Sequence, residues 1–500
     1  MKLPSIPFIP TTKFDIVRSF VATIVGLAGS FAFVGPTTDF IVTPINSLVV
    51  RITPGYIVIK MIQLFGKMSE LLAFVLSSLI VLCLLWLSTI VGIHIGKKSG
   101  DWFGTLLGPY FISWGVTVFI TKSPLTALAV ACPLAITVGI FGLRHRTSQQ
   151  DQSVSDHRRK FLKIGMGLLG TVGISGWIGL RNTRLKTSPL TVISPQERKT
   201  IEQRLQSAQR QSFDIDGIPG LVSSIDNYYE VDINTVNPNV SVNDWSLTIT
   251  GAVEHEEQYR YEDLTRLDPE HRFITLRCVG DPLNGQLMDN ALWTGIPLMP
   301  LIEEANPAGT HVMMEAVDGY YVEFPLEAMK GSFLAYGMNG RVLPWNHGYP
   351  VRAHILGHWG EVNVKWVHKI KVLKKAKLGY WERRGWHGTG PVNTIAKLWT
   401  VNHLSSGGIQ IGGHAYAGTR GIDQVEVSID GGNSWNKAEL TPSLSGADTW
   451  RQWKYEWIPT NDQLTIIVRA IDGKGNLQPR QRSQPYPSGA TGWVRRQIDL

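Results

Sequence analysis

Apolar positions in the first third of the chain come in unbroken blocks. Five runs, near 17–35, 71–95, 103–121, 124–143 and 161–180, have the length of a membrane helix, about 20 residues. The second contains "LLAFVLSSLIVLCLLWLSTIVGI", which carries no charge and exceeds what a buried helix of a soluble domain needs. Beyond residue 212 the period drops to two. "DWSLTITGAV" alternates around Trp245, Leu247 and Ile249, "GYYVEFP" and "WVHKIKVL" read as strands, and "PLMPLIEEA" and "PLEAMKG" read as helical patches. This mixture predicts an α+β domain over 213–395. A strand–GxGxxG–helix unit is missing, which argues against a doubly wound parallel sheet. From 396 to 500 short strands recur with Gly-Gly and Asp-Gly turns, the pattern of an immunoglobulin-like β-sandwich suited to adhesion or dimerisation. A polar linker, 186–212, contains the helix-prone "SPQERKTIEQRLQSAQRQ". The expected fold class is therefore multi-domain: an α-helical transmembrane N-terminal region, an α+β domain and a C-terminal β-sandwich.

Charge sharpens the first part of this reading. Residues 1–147 hold four acidic residues against eleven Lys/Arg, so most of the net charge of +8 arises there. The cations border the apolar runs, which makes the basicity a matter of membrane orientation; nucleic acid is not an expected partner. Lys13 and Arg18, Lys97 and Lys98, and Arg144 and Arg146 all fall on one side if the N-terminus is cytoplasmic. Residues 1–147 then form four transmembrane helices. Residues 148–185 read as a twin-arginine-like signal-anchor, with Arg158-Arg159 ahead of Phe161-Leu162-Lys163 and a Gly-rich fifth span; ordinary positive-inside flanking is the alternative. No small-residue cleavage site follows, so the span is expected to stay as an anchor, with the rest of the chain outside the plasma membrane. His94 is the only histidine within the runs, so no haem is expected between the helices.

The chain has three cysteines. Cys83 and Cys132 lie in membrane-like runs. Cys278 stands alone in "RFITLRCVGDPLNG", where a strand opens into a loop. From the residues by themselves, it is either core filler or a ligand.

"DNYYEVD", "LRCVGD", "ALWTGIPLMPLIEEA", "LAYGMNGRVLPWNHGYPVRAHILGHWGEVNVKWV" and "GTRGIDQVEVSIDGGNSW" occur in that order. Together they resemble the sulfite oxidase family of molybdenum enzymes over about residues 213–500. The layout resembles membrane-anchored bacterial and archaeal members, and "DNYYEVD" and "RCV" are also similar to the periplasmic methionine sulfoxide reductase branch. The resemblance implies a molybdenum–molybdopterin cofactor, with Cys278 as the protein's thiolate ligand to the metal. A soft thiolate suits a metal already bound to sulfur, and the neighbouring glycine lets backbone approach closely. It further implies that His347, Arg352, Asn363 and Lys365 contact the pterin, that Asp226, Tyr229 and Glu230 form an early cofactor loop, and that Asp318 faces the cofactor. Guanidinium and ammonium groups suit its phosphate. His354, His358, His368 and His387 have no motif support and are taken as structural.

The chain also departs from the family. After the ligand cysteine, sulfite oxidases read Ala-Gly-Asn-Arg-Arg, whereas Cys278 is followed by Val279-Gly280-Asp281-Pro282-Leu283. Val231 replaces an early arginine, "PSGATGWVRR" offers no C-terminal one, and the catalytic tyrosine position holds Trp386. Arg383 and Arg384 lie nearby at different positions. An anion needs charge-assisted donors in a dry site, so these losses point to another substrate. The expectation is an extracytoplasmic molybdopterin oxidoreductase performing oxygen-atom transfer on a small S- or N-oxide, exchanging electrons with a separate cytochrome or quinone-linked protein. The alternatives are a sulfite dehydrogenase with a rearranged anion site, and a cofactor-free adhesion or scaffold protein.

Overall fold

The computed structural model describes residues 12–35, 40–54, parts of 57–65, 68–98, 102–148, and 190–499 except 235, 447 and 460–462. The run at 161–180 and the Arg158-Arg159 pair lie outside the described residues. The chain divides into two compact units, one essentially N-terminal and one spanning most residues from 187 onward.

In the first unit, α1 (Lys13–Val34), α3 (Met68–Lys98), α4 (Trp102–Thr121) and α5 (Pro124–Ser148) contain the first four apolar runs. A fifth helix, α2 (Val42–Ile52), escaped the pattern because it is one-third the length of α3 and carries Pro44 in its first turn. Among the described residues, two stretches, Asp15–Val34 and Leu71–Lys97, are long and apolar enough to cross a membrane. Small residues bring the helix backbones together. A Cβ on Gly108 would lie 2.2 Å from the Gly92 carbonyl, and one on Gly29 would lie 2.5 Å from that of Ala129. Such contacts supply the van der Waals packing that joins apolar helices. At the start of α1, Asp15 closes a capping box with Thr12 and also takes Lys97 at 2.5 Å and Arg18 at 2.7 Å. One cation from each of the first two basic clusters thus meets the same carboxylate.

The second unit opens with α6 (Pro195–Gln211). Ser194 caps it, Glu197 returns a carboxylate to the Ser194 N–H at 2.7 Å, and Pro195 occupies the first turn. Ten strands follow: β1 (Ser246–Gly251), β2 (Glu257–Arg260), β3 (Glu270–Arg277), β4 (Met288–Pro297), β5 (His311–Ala316), β6 (Tyr321–Pro325), β7 (Phe333–Met338), β8 (Arg341–Val342), β9 (Arg352–His354) and β10 (Val367–Leu373). One sheet runs β2-β1-β10-β5-β6, with β1 and β10 parallel and Thr248 opposite Lys369. The other runs β3-β4-β7-β8, with β9 on β7. The mixed, mainly antiparallel pairing agrees with the α+β expectation. The central strand β4 is buried at every position but Pro297, so it reads as a continuous run rather than an alternation.

From Ile395 the chain forms two wholly antiparallel sheets, of five and four strands. Their inward residues, among them Ile411, Trp453, Val425 and Val468, join the same buried cluster as the catalytic sheets. The edge strand β3 is covered from this side: Thr275 N–H donates to Asp448 O at 2.9 Å, and Trp450 N–H donates to Thr275 Oγ1 at 2.9 Å. Tyr416 Oη donates to both Thr275 O, at 3.0 Å, and Asp448, at 2.6 Å. At the boundary expected between 395 and 396, Ile395 pairs with Tyr416.

Gly413 shows how tightly this packing is drawn, since a Cβ there would lie 1.9 Å from the Lys397 carbonyl. Gly413→Ala should therefore lower stability by about 1–3 kcal/mol through overpacking, read as a fall in the denaturant midpoint.

Candidate functional site

Strand β3 delivers Cys278 to its loop. Arg277 pairs with Met288, the Cys278 N–H donates to Leu287 O at 2.9 Å, and the Asp281 N–H turns back onto Cys278 O at 3.1 Å. What fixes the loop is an ionic cluster fully shielded from solvent. Asp281 Oδ2 accepts from Arg277 Nε at 3.0 Å and from Lys397 Nζ at 2.6 Å, and all three side chains are 0% exposed. The other Asp281 oxygen accepts from Leu287 N–H, while Lys397 Nζ also donates to Gly285 O. Arg277 also donates to the carbonyls of Asn393 and Ala490 and lies over the Trp359 ring. Burial draws the Lys397 ammonium down to about 8, and Asp281 resists that shift.

Cys278 keeps a small open edge but is otherwise enclosed, and burial pushes its thiol up to about 12. A thiol in that state yields its proton readily only to a metal. Its charged neighbours are Asp281, Glu361 and Arg277. Gly280 has room beside it, since a Cβ there would sit 3.7 Å from Cys278 Sγ and 3.8 Å from Trp386 Cη2. Trp386 therefore lines the same pocket as the thiol. Tyr229 lies on another side, its hydroxyl 2.8 Å from where a Cβ on Gly360 would be, with Cys278 Cα at 3.6 Å from that point.

The predicted cofactor residues fall into a second group. His347 and Arg352 are buried, and burial with the nearby Arg352 and Lys365 charges lowers the imidazole to about 3. Lys365 pairs with Asp232 and donates to Asn346 O at 3.1 Å; Asn346 in turn donates to Glu230 at 2.8 Å. Asp318, raised to about 6 by burial, feels Asp232 and Lys365 and accepts the Tyr320 N–H. Gly348, at φ +116°, lets the chain turn here, since a Cβ would come within 3.1 Å of Arg352 and Lys365.

Two of the predicted residues stand apart. Asp226 is exposed on the turn Ile225–Asn227. Asn363 spends its amide on the Ile355 N–H and the Trp359 carbonyl, so it braces a loop. Tyr229 is held through its N–H by Asp289, a residue the motif did not mark. Of the histidines without motif support, His354 packs 4.2 Å from Trp293, and His358 meets Leu356 O.

Residues 234–381 match the "Oxidoreductase molybdopterin binding domain" and residues 393–488 the "Mo-co oxidoreductase dimerisation domain". Mitochondrial sulfite oxidase of Mus musculus is 28% identical over 297 residues, which cover 48% of this chain and 54% of that one. Sulfite oxidase of Arabidopsis thaliana is 24% identical over 327 residues, covering 52% and 83%. This chain carries the two domains of a sulfite-oxidase-type molybdenum oxidoreductase. The match spans about half the length of the mouse relative. The family extends to the NADH nitrate reductase of Solanum lycopersicum, 24% identical over 317 residues, covering 49% of this chain and 35% of that one. A solved structure, the sulfane dehydrogenase SoxCD from Paracoccus pantotrophus, covers 56% of this chain and 82% of its own at 22% identity and a TM-score of 0.49.

The chain thus carries a molybdopterin-binding oxidoreductase domain, and its cradle can be tested for the cofactor. The residues fit: Arg352 Nε is buried without a partner among the described residues, beside the Lys365 ammonium and a neutral imidazole. An anionic phosphate would satisfy that guanidinium. Arg277, Asp281 and Lys397 were not marked as a site beforehand, because only the fold brings residues more than a hundred positions apart together. The sole advance signal was the Arg-Cys-x-x-Asp spacing. Lys397→Met should cost about 3–5 kcal/mol, as expected for removing one partner of a buried ionic group, and should lower the urea midpoint of the purified holoenzyme.

Proposed function

We propose that this enzyme transfers an oxygen atom to or from a small neutral substrate, an S- or N-oxide or its reduced form. One observation carries the reading: among the charged groups that act on the Cys278 thiol are the Asp281 and Glu361 carboxyls and the Arg277 guanidinium, and the two cations of this loop are already engaged, Arg277 by Asp281 and two carbonyls and Lys397 by Asp281 and Gly285 O. The nearby arginines do not make up the deficit. Arg383 reaches Leu378 O and the face of Tyr321, and Arg384 reaches Tyr380 O and lies 3.7 Å over that ring. A sulfite dianion would enter such a pocket without the fixed cations that must replace its water.

Molybdenum, when bound, supplies the two-electron oxygen exchange. The chain's own residues bind and orient: Cys278 ligates the metal, while His347, Arg352 and Lys365 hold the pterin's anionic end. Glu230 and Tyr229 wall the early loop, and Trp386 closes the substrate side. In this reading the helical unit anchors the protein in the plasma membrane, the catalytic domain lies on the extracytoplasmic face, and the C-terminal sheets form an immunoglobulin-like homodimerisation module. Electrons pass singly to a separate cytochrome or quinone-linked partner.

Cys278→Ser should abolish turnover and the thiolate-to-molybdenum absorption while leaving pterin bound through Arg352 and Lys365; an unchanged spectrum refutes the ligand assignment. Steady-state kinetics decide the substrate. Each missing charge-assisted donor is worth about 1.5–3 kcal/mol, so losing two predicts a sulfite efficiency on the order of 10²–10⁴ below that of a dedicated enzyme. Dimethyl sulfoxide and trimethylamine N-oxide should be reduced by the chemically reduced holoenzyme. Sulfite efficiency near 10⁶ M⁻¹s⁻¹, in the usual range of a dedicated enzyme, would instead identify a sulfite dehydrogenase with a rearranged anion site.

A further inference from the structure

Two polar groups beside the cysteine loop are buried and lack partners. The indole nitrogen of Trp386, a side chain 5% exposed, meets no acceptor among the described residues. Neither carboxylate oxygen of Glu361 meets a donor in hydrogen-bond geometry there, although the Gly388 N–H lies close enough to favour its ionised form. Native structures leave few such groups, and each one needs a reason. Their positions give one. A Cβ on Gly388 would lie 2.7 Å from both Glu361 Cδ and Val279 Cγ2, so the carboxyl and the residue that follows Cys278 flank the same glycine. Trp386 lies against Gly280 beside Cys278 Sγ. The two groups therefore border consecutive residues of the metal-ligand loop. Glycine at 388 leaves the carboxyl the space it occupies.

We propose that Trp386 Nε1 and the Glu361 carboxyl together bind the oxygen of a neutral, dipolar oxide substrate, and that Glu361 is a specificity-determining residue of this site. The proposal rests on the oxide reading above and adds the groups that recognise the oxide. An indole N–H donates without carrying charge, which suits an oxygen with partial negative charge and no net charge. Burial, followed by the neighbouring Glu382, pushes the Glu361 carboxyl up to about 8. A carboxyl that keeps its proton in this dry setting supplies a second hydrogen bond, whereas an ionised one would repel sulfite. The main chain of Glu361 is held separately, through its carbonyl, by the Tyr320 hydroxyl at 2.8 Å, so the side chain remains available to ligand.

The test uses oxidised holoenzyme, which cannot reduce a sulfoxide, titrated with dimethyl sulfoxide by calorimetry at equal molybdenum content. Glu361→Leu and Trp386→Phe should each weaken binding about tenfold, the value of roughly one hydrogen bond, and Glu361→Gln should largely restore it. Glu361→Leu should also raise the melting temperature by about 2–4 °C, because a buried unsatisfied carboxyl is removed. A purely structural role for Glu361 predicts the opposite shift, and a lowered melting temperature would count against the proposal. Unchanged affinity in both apolar variants overturns it. If the reduced parent enzyme turns over neither dimethyl sulfoxide nor trimethylamine N-oxide, the oxide reading itself fails. Turnover by the parent with unaltered binding in the variants removes only the assignment of Glu361 and Trp386.

Discussion

Asp281 holds Arg277 and Lys397 together where no water reaches, and the placement of the cysteine loop depends on that arrangement. Three charges in a dry interior are costly to assemble, and replacing such a group by apolar residues is often neutral or stabilising. Here the group fixes a direction. Arg277 precedes Cys278, Asp281 follows it by three residues, and Lys397 lies at the root of the C-terminal sheets. The thiol sits between two residues that are tied to the same carboxylate system. Any rotation of the loop would leave a charge unpaired, so the thiol has one position and not several.

The same constraint explains what was legible in the sequence. Periodicity located the membrane-like helices, the mixed sheets and the C-terminal β region, because those depend on which face of a local element is apolar. The short helix at Val42–Ile52 was missed because eleven residues with an early proline carry too little pattern. Cys278 could be singled out because it is alone in its part of the chain, and the cofactor cradle because a long motif carries it. Asn363 carries a motif signal, while the two backbone bonds its amide makes are visible only in the fold. Asp289, Glu361 and Lys397 carried no local signal. Their roles come from contacts across 60 to 116 positions of sequence or from hydrogen bonds left unmade, and neither property can be read from spacing.

The charge distribution separates two tasks that a single basic patch would confuse. Arg352 and Lys365 stand together where the cofactor's anionic end is expected, whereas the cations of the cysteine loop, Arg277 and Lys397, are both engaged by Asp281. Arg383 and Arg384 show that proximity in sequence does not decide this, since both rest on tyrosine rings and carbonyls.

The second unit carries two recognisable family regions, with a gap of eleven residues between the matched segments. Its physical seam does not follow that gap. Arg277 needs the Ala490 carbonyl, Gly357 needs the Asp448 carboxylate, Trp386 packs 5.4 Å from Tyr486, and β3 takes its outer hydrogen bonds from residues 448–450. The two regions are thus separable as units of inheritance but not as units of architecture. A C-terminal module borrowed from a relative would have to bring its own counterparts of Lys397, Tyr416, Asp448 and Ala490. Without them, a graft would disturb a redox centre that the borrowed piece does not itself contain.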